Sequence, residues 1–266
     1  MQISAVIIAF NEEAKIADAI RSVEWADEVV VVDSESTDRT SEIASELGAR
    51  VIVEKWRGFA GQKQFAVDAA ANDLVLSIDA DERVTPDLRD EILAIRDSGV
   101  AADGYRIPRL STYMGREIRH GGWYPDLQLR LFDRRKARWK DVAVHESITL
   151  DEGAKLGELK GDLLHFSVDS VAHHAAMIEQ RYAPLGARAK FDAGRTISPM
   201  RIAAAPVITF ISNYVIKLGF LDGLPGLVIA YFAAYNVFLK NVLLLEMQDS
   251  RDIAERSPDD DNQKSR

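Results

Sequence analysis

The sequence predicts an α/β fold built on a mostly parallel sheet with helices on both faces. Two observations carry that expectation. Through the first hundred residues or so, short β-branched apolar runs alternate with segments whose apolar residues recur at helical spacing. Each apolar run also ends in a polar, acid-bearing loop, and ligands of such sheets bind at the carboxyl ends of the strands.

Ile3–Ala9 is short, continuous and β-branched, the pattern of a strand buried on both faces. Glu12 to Trp25 follows, with Ile16, Ile20 and Val23 at helical spacing. Glu28–Asp33 is a second strand. Ser36 to Leu47 is expected as a helix capped by Ser36 or Thr37 and stopped at Gly48. Val51–Val53 forms a third strand, residues 61–71 a helix and Leu74–Ile78 a fourth strand. Thr85-Pro86 supplies a cap and an N1 proline for the next helix.

From about residue 100 to 165, short strand-like pieces (Gly104–Pro108, Gln128–Phe132 and residues 146–150) sit among glycines and aromatic residues. They suggest mixed or antiparallel sheet covering the site. After Val168 the chain turns helical. Residues 202–247 are strongly apolar, with Lys217, Asp222, Lys240 and Glu246 as their charges. The residues from Asp249 onward are polar and are expected to be disordered.

The chain contains no cysteine, which excludes disulfides, thiolate metal sites and cysteine nucleophiles. It enters its first strand without the basic start and cleavage site of a signal peptide, so the core is expected in the cytoplasm. A net charge of −9 argues against nucleic acid as a partner. Arg130, Arg134, Arg135, Lys136, Arg138 and Lys140 nevertheless crowd together. That run is either a solvated strand edge or a surface facing phosphates of a ligand or of lipid head groups.

The chemistry concentrates in three loops: Asn11-Glu12-Glu13, Asp33-Ser34-Glu35-Ser36 and Asp79-Ala80-Asp81-Glu82. Acids gathered on one sheet edge repel one another and call for a cation or a donor-rich ligand. Asp79-Ala80-Asp81 directly follows an apolar strand, and two carboxylates from one turn suit Mg²⁺ or Mn²⁺ bridging a diphosphate. The bland alternative is an acidic turn ahead of the helix near Thr85.

The runs from Val6 to Glu13, from Val30 to Asp38 and from Ile78 to Glu82, in this order and each at a strand end, closely resemble glycosyltransferase family 2. The resemblance implies the GT-A (Rossmann-like) fold, a nucleotide-sugar donor and inversion at the anomeric carbon. It implies that Phe10, Asn11 and Glu12 line the nucleotide pocket, that Asp33 accepts hydrogen bonds from base or ribose, that Asp79 lies near ribose and sugar, and that Asp81 is the principal metal ligand. Asp38 reads better as stabilising the first turn of its helix. Residues 121–126 (Gly-Gly-Trp-Tyr-Pro-Asp), Arg130-Leu131-Phe132, Val144-His145-Glu146 and Leu221-Asp222-Gly223 are similar to the lipopolysaccharide-core β-1,4-glucosyltransferase branch of that family.

An inverting transfer needs one general base for the acceptor hydroxyl. Asp126, behind aromatic residues suited to flank a sugar, and Glu146, beside His145, stand as equal candidates. His145 is a candidate metal ligand or a structural histidine. Arg130 would pair with the diphosphate or else neutralise a neighbouring acid. Lys63 or Gln62, after Trp56 and Phe59, could reach the donor, although helix packing explains much of that segment.

These readings divide the chain into a GT-A catalytic domain (1–165, with a nucleotide-sugar half 1–100 and an acceptor half 100–165), a C-terminal helical membrane-docking region (166–247) and a tail (248–266). The apolar stretch is read as two interfacial helices around the Asp222-Gly223 turn, because residues 224–239 are too few to cross a bilayer. A re-entrant hairpin and a packed core or dimer interface are the alternatives. The expected activity is transfer of a hexose, glucose from UDP-glucose, to a lipid-linked acceptor at the cytoplasmic face of the inner membrane. The lipopolysaccharide inner core is the leading acceptor and a polyprenyl phosphate the runner-up. A nucleotidyltransferase shares the alternating fold, but Asn11-Glu12-Glu13 would repel a triphosphate. A non-catalytic sugar-nucleotide-binding protein is the third class.

Overall fold

The computed structural model describes residues 1–99, 101–140 and 147–256. The chain forms two compact units: Met1–Thr112 with Tyr124–Ser167, and Tyr113–Trp123 with the residues from Val168.

The first unit begins with strands β1 (Ile3–Ala9), β2 (Glu28–Asp33), β3 (Arg50–Val53) and β4 (Leu74–Asp79), joined by helices α1 (Ile16–Ser22), α2 (Thr40–Glu46) and α3 (Phe59–Ala69). These four strands are parallel, in the order β3-β2-β1-β4. Their register sets the site: Ala9 lies opposite Asp33, and Ile8 lies opposite Asp79. The three acid-bearing loops therefore leave the sheet at one level. The chain continues through β5 (Glu82–Val84), α4 (Pro86–Ser98) and β6 (Gly104–Tyr113), then, after passing through the second unit, β8 (Asp126–Asp133), β9 (Ala137–Lys140), β10 (Ser147–Leu150), β11 (Leu156–Glu158) and β12 (Leu163–His165). Strand β8 runs antiparallel beside β4, and the sheet continues β8-β6-β12-β5, so its second half is mixed. Strands β9 and β10 form a separate antiparallel ribbon.

Helices cover both faces because β1 alternates. Ile3, Ala5 and Ile7 pack with Ile16 and Ile20 of α1, Ala44 of α2 and Leu88 and Ile92 of α4. Val6 on the opposite face packs with Ala66 and Val67 of α3 and with Ala137 of β9. Truncating a fully buried residue such as Ile7 to alanine would cost about 2–5 kcal/mol.

Thr85 caps α4 as its sequence predicts, accepting from Leu88 N. Helix α2 does not start at Ser36 or Thr37. It starts at Thr40, because Ser36 and Thr37 are engaged with Asp33 and Asn11, while Asp38 accepts from Thr40 N at 3.0 Å. Helix α1 likewise begins at Ile16 rather than Glu12.

The basic run is not an open phosphate-facing surface. Arg130 is buried. Arg134 closes the end of α3 on the carbonyls of Val67, Asp68 and Ala70. Arg135 pairs with Asp133 and Asp73, Lys136 with Asp103, and Arg138 donates to the carbonyls of Arg134 and Ala137.

The second unit opens with a Met114-Gly115 turn at positive φ and the two-residue strand β7 (Arg116–Glu117). Its helices are α5 (Val171–Met177), α6 (Ala183–Asp192), α7 (Pro199–Ile211) and α8 (Gly223–Arg256). Tyr113, Trp123, His174 and Phe232 form an aromatic cluster, with Tyr113 Oη 3.1 Å from His174 Nδ1. Helix α7 has no buried residue. The helix that carries the second apolar stretch is longer than the sixteen residues 224–239 on which the sequence expectation rests. Helix α8 runs unbroken through Lys240, and Pro199–Ile216 and Gly219–Ser250 are each long and apolar enough, by length and composition, to cross a membrane. It also continues past Asp249, where the tail was expected to begin.

Candidate active site

A cavity of about 560 Å³ opens at the carboxyl edge of the first unit's sheet. It is lined by Phe10 and Glu12 after β1, Ser34 after β2, Trp56, Phe59 and Lys63 around the start of α3, Asp79 and Asp81 after β4, and His165 at the end of β12. Phe10, Trp56 and Phe59 are exposed, and the last two meet edge to face with centroids 4.8 Å apart. Exposed aromatic faces beside a polar floor suit a base or a sugar ring.

The first two loops are tied together by hydrogen bonds. Asn11, in a left-handed conformation, accepts from Thr37 N at 2.8 Å and donates its own N–H to Ser36 Oγ. Glu13 Oε2 accepts from Arg39 N, and Asp38 Oδ2 accepts from Glu13 N. Asp33 is buried, and its carboxylate accepts from the N–H and hydroxyl of Ser36. Burial works to raise the Asp38 carboxyl, and the Thr40 hydroxyl and N–H bring it below the ordinary range.

In the third loop, Asp79 sits between two cations. Lys63 Nζ is 2.9 Å from Asp79 Oδ1, and Arg130 Nη2 is 2.9 Å from Oδ2. Burial would raise the Asp79 carboxyl, but the charges of Lys63 and Arg130 hold it far below the usual carboxylate range. Arg130 Nη2 also reaches Glu82 Oε1 at 2.7 Å, and Glu82 Oε2 accepts from Asp79 N. Glu82 is wholly buried. Arg130 thus takes the neutralising role, not the diphosphate-facing one, because its guanidinium lies beneath the turn. Lys63 Nζ further sits 4.8 Å from the centroid of Trp139.

Asp81 is differently placed. Its Oδ2 is 3.5 Å from His165 Nε2, and His165 Nδ1 stands 3.2 Å from Ser111 Oγ. Burial pushes the Asp81 carboxyl up, and the neighbouring His165 imidazole offsets this and leaves it below the ordinary value. A carboxylate oxygen and an imidazole nitrogen facing one cavity, with the far ring nitrogen held by a hydroxyl, is a donor set for a borderline divalent ion. Among the described residues no cluster of three or more His, Asp or Glu completes a metal cage. Ligands from a bound substrate would have to complete the shell, as is usual where a cation bridges phosphates.

Asp126 opens β8. Its Oδ2 accepts from Arg109 Nε at 2.9 Å and Nη2 at 2.6 Å, and its Oδ1 accepts from Gln128. Arg109 Nη1 lies 3.5 Å from Glu82 Oε1, linking Asp126 to the turn that carries Asp81. His145 and Glu146 lie outside the described residues.

Residues 4–149 match the family model described as glycosyl transferase family 2. The chain belongs to that family. It is 34% identical over 259 residues to an uncharacterized glycosyltransferase of Rickettsia typhi, covering 92% of this chain and 87% of that one. It is 33% identical over 259 residues to the lipopolysaccharide core biosynthesis glycosyltransferase LpsC of Rhizobium meliloti, covering 91% and 94%. Glucosyl-3-phosphoglycerate synthase from Mycobacterium tuberculosis, solved in complex with Mn²⁺, UDP and phosphoglyceric acid, is 30% identical over 43% of this chain and 44% of that one, with a TM-score of 0.35. Family membership makes the chain a glycosyltransferase and removes nucleotidyl transfer from consideration. The mixed sheet with helices on both faces is the GT-A arrangement the resemblance implied.

The sequence reading of this glycosyltransferase did not single out His165. It sits in a three-residue strand that follows no motif, and only the pairing of β12 with β5, which sets His165 opposite Glu82, brings it to Asp81. The role of Lys63 is hidden as well. Its ion pair with Asp79 depends on α3 packing against β1 and β4, which periodicity alone does not reveal.

Proposed function

We propose that this protein is a metal-dependent, inverting hexosyltransferase that takes a hexose from a UDP-hexose, with glucose the leading sugar, and delivers it to a lipid-linked saccharide. The observation that carries the reading is the Asp81–His165 corner facing a cavity walled by Phe10, Trp56 and Phe59. Mn²⁺ accepts an imidazole more readily than Mg²⁺ does, so the corner favours Mn²⁺, with Mg²⁺ as the alternative. When bound, the ion offsets the charge that builds on the departing diphosphate. The chain's own contribution is positional. Lys63 and Arg130 fix Asp79, the Asn11–Thr37 lock fixes the first two loops, and the aromatic trio offers stacking surface to a base. Asp126 and Glu146 remain the two candidates for the base that deprotonates the acceptor. Likeness to LpsC supports the lipopolysaccharide core as acceptor.

A lipid-linked acceptor agrees with docking on the cytoplasmic face of the inner membrane. Helix α7 exposes Val207, Ile208 and Ile211, and the turn after it exposes Ile216 and Leu221. Polar partners flank the later part of α8: Tyr235 Oη donates to Glu179, Lys190 Nζ to Asn241, and Gln248 to the Arg195 carbonyl. With water-loving groups from Tyr235 on, the free apolar part of α8 ahead of them, residues 223–234, is about 18 Å long at 1.5 Å per residue, short of a ~30 Å hydrocarbon core. That supports shallow insertion over a full span.

The deciding experiment measures UDP release and sugar transfer from a panel of UDP-hexoses, with Mn²⁺, Mg²⁺ or chelator, to lipopolysaccharide core and to polyprenyl phosphate. Transfer to core that requires metal and fails in Asp81→Asn supports the reading. Transfer that persists in chelator, or only to polyprenyl phosphate, overturns the metal or the acceptor part.

A further inference from the structure

The turn between α7 and α8 is built with unusual economy. After a π-helical turn ending at Ile216, Lys217 leads into Leu218, which is left-handed at φ 58, and then a 3₁₀ turn, Gly219–Asp222. A bulky residue rarely adopts that conformation unless its surroundings hold it there. The turn closes tightly on α8, since a Cβ on Gly226 would stand 1.9 Å from the Gly219 carbonyl oxygen. Its outer side carries large exposed apolar residues: Ile216, Leu218, Phe220, Leu221 and Leu224.

The segment after β7 wraps this turn. Gly121 N donates to the Lys217 carbonyl at 2.9 Å. Asp222, buried, accepts from His120 N at 2.9 Å and from Arg119 N at 3.3 Å, and pairs with His120 Nδ1 at 2.8 Å. Its charge is thus engaged inside the turn. Gly122, at φ 85, leaves room for a lysine: a Cβ there would lie 2.8 Å from Lys217 Nζ and 2.9 Å from its Cδ. On the other side, Arg116 Nη1 would lie 3.2 Å from a Cβ on Gly223. Of the paired glycines, Gly122 is accounted for by the lysine it accommodates and Gly121 by its φ of 68.

Arg116 and Lys217 are both exposed, and among the described residues neither side chain makes a hydrogen bond or ion pair. Arg119 differs, being paired with Glu117. Two uncompensated cations thus border a cap of exposed apolar side chains. We propose that Arg116 and Lys217 each meet the phosphate of an anionic membrane lipid at the rim of this turn, with the apolar turn set in the acyl boundary beneath them. This rests on the membrane-docking reading above and adds a headgroup preference to it. A soluble phosphate would gain nothing from the apolar cap, whereas a lipid phosphate lies at the boundary where cations snorkel and apolar residues insert.

The test is flotation of the full chain with vesicles of phosphatidylcholine alone or mixed with phosphatidylglycerol. Each cation near an anionic surface is worth about fivefold in partitioning, so Arg116→Gln with Lys217→Gln should lose about thirtyfold on the mixed vesicles. Binding to phosphatidylcholine should be unchanged, Lys217→Arg should keep most of the affinity, and cooperative unfolding should match wild type. Equal flotation of wild type and double variant on mixed vesicles overturns the site while leaving docking intact. Failure of wild type to float with either vesicle overturns docking itself. Displacement by inorganic phosphate at constant ionic strength would reassign the cations to a soluble anion and overturn the lipid site.

Discussion

His165 Nε2 stands 3.5 Å from Asp81 Oδ2 although Asp81 lies in the turn after β4 and His165 at the end of β12, and Ser111 Oγ holds the opposite ring nitrogen at 3.2 Å. If this corner holds the metal, its supporting hydroxyl should matter as well as its ligands. Ser111→Ala is expected to weaken Mn²⁺ binding in the presence of UDP by roughly tenfold, and His165→Ala by more. Calorimetric titration of Mn²⁺ into the UDP complex reads both. Unchanged affinity in His165→Ala would remove the histidine from the shell.

Arg130 places one nitrogen between two acids, Asp79 at 2.9 Å and Glu82 at 2.7 Å, and all of this lies at or below the pocket floor. Removing one partner from a buried ion pair leaves an uncompensated charge, so Arg130→Met should cost about 3–5 kcal/mol of stability. Arg138→Gln, whose exposed side chain loses only its contacts to the Arg134 and Ala137 carbonyls, should stay within about 0.5 kcal/mol. Urea unfolding of both variants checks the contrast. A small loss in Arg130→Met would mean that the acids share a proton or reach water.

These two cases show what the sequence could and could not disclose. The strands, their alternation and the Asp79-Ala80-Asp81 turn follow from period and composition, and the structure has them close to where the pattern puts them. Asp38 at its helix start was legible too, because its bond to Thr40 N is local. His165 was not, and the two readings of Arg130 stayed open, since both depend on β8 and β12 entering the sheet out of chain order. Charge counting also misled. The run from Arg130 to Lys140 looks like an open basic face, but Asp73, Asp103, Asp133 and the carbonyls closing α3 come to it through tertiary packing.

His174 gives the second unit a pH response. Burial pushes its imidazole below the ordinary value of 6.5, with the neighbouring His173 charge acting the same way, and Tyr113 Oη faces its Nδ1. A depressed folded value means that the unfolded chain binds the proton first, so stability rises with pH across this window. On acidification through about pH 6.5 stability should fall, levelling once the folded value is passed. Melting midpoints measured from neutral pH to just above the carboxylate range should show that slope. It should flatten in His174→Gln, whatever the variant's absolute stability. An equal slope in both would assign the response elsewhere.

The choice of catalytic base can be settled by separating turnover from binding. Asp126 has both oxygens engaged, one by two Arg109 nitrogens and the other by Gln128, and Arg109 continues to Glu82 beneath the metal turn. As the base, Asp126 would have to release part of this pairing as it takes the acceptor's proton. As a brace, it would hold Arg109 and through it Glu82. The two roles leave different traces. Loss of a base should lower kcat by roughly 10² to 10⁴ while donor binding survives. Loss of a brace should lower the melting midpoint and donor affinity together, and Arg109→Gln would reproduce it. Asp126→Asn and Glu146→Gln should therefore be compared for kcat, UDP-hexose affinity and thermal midpoint. A turnover defect confined to one variant identifies the base. Normal turnover in both would mean that neither acid takes the proton.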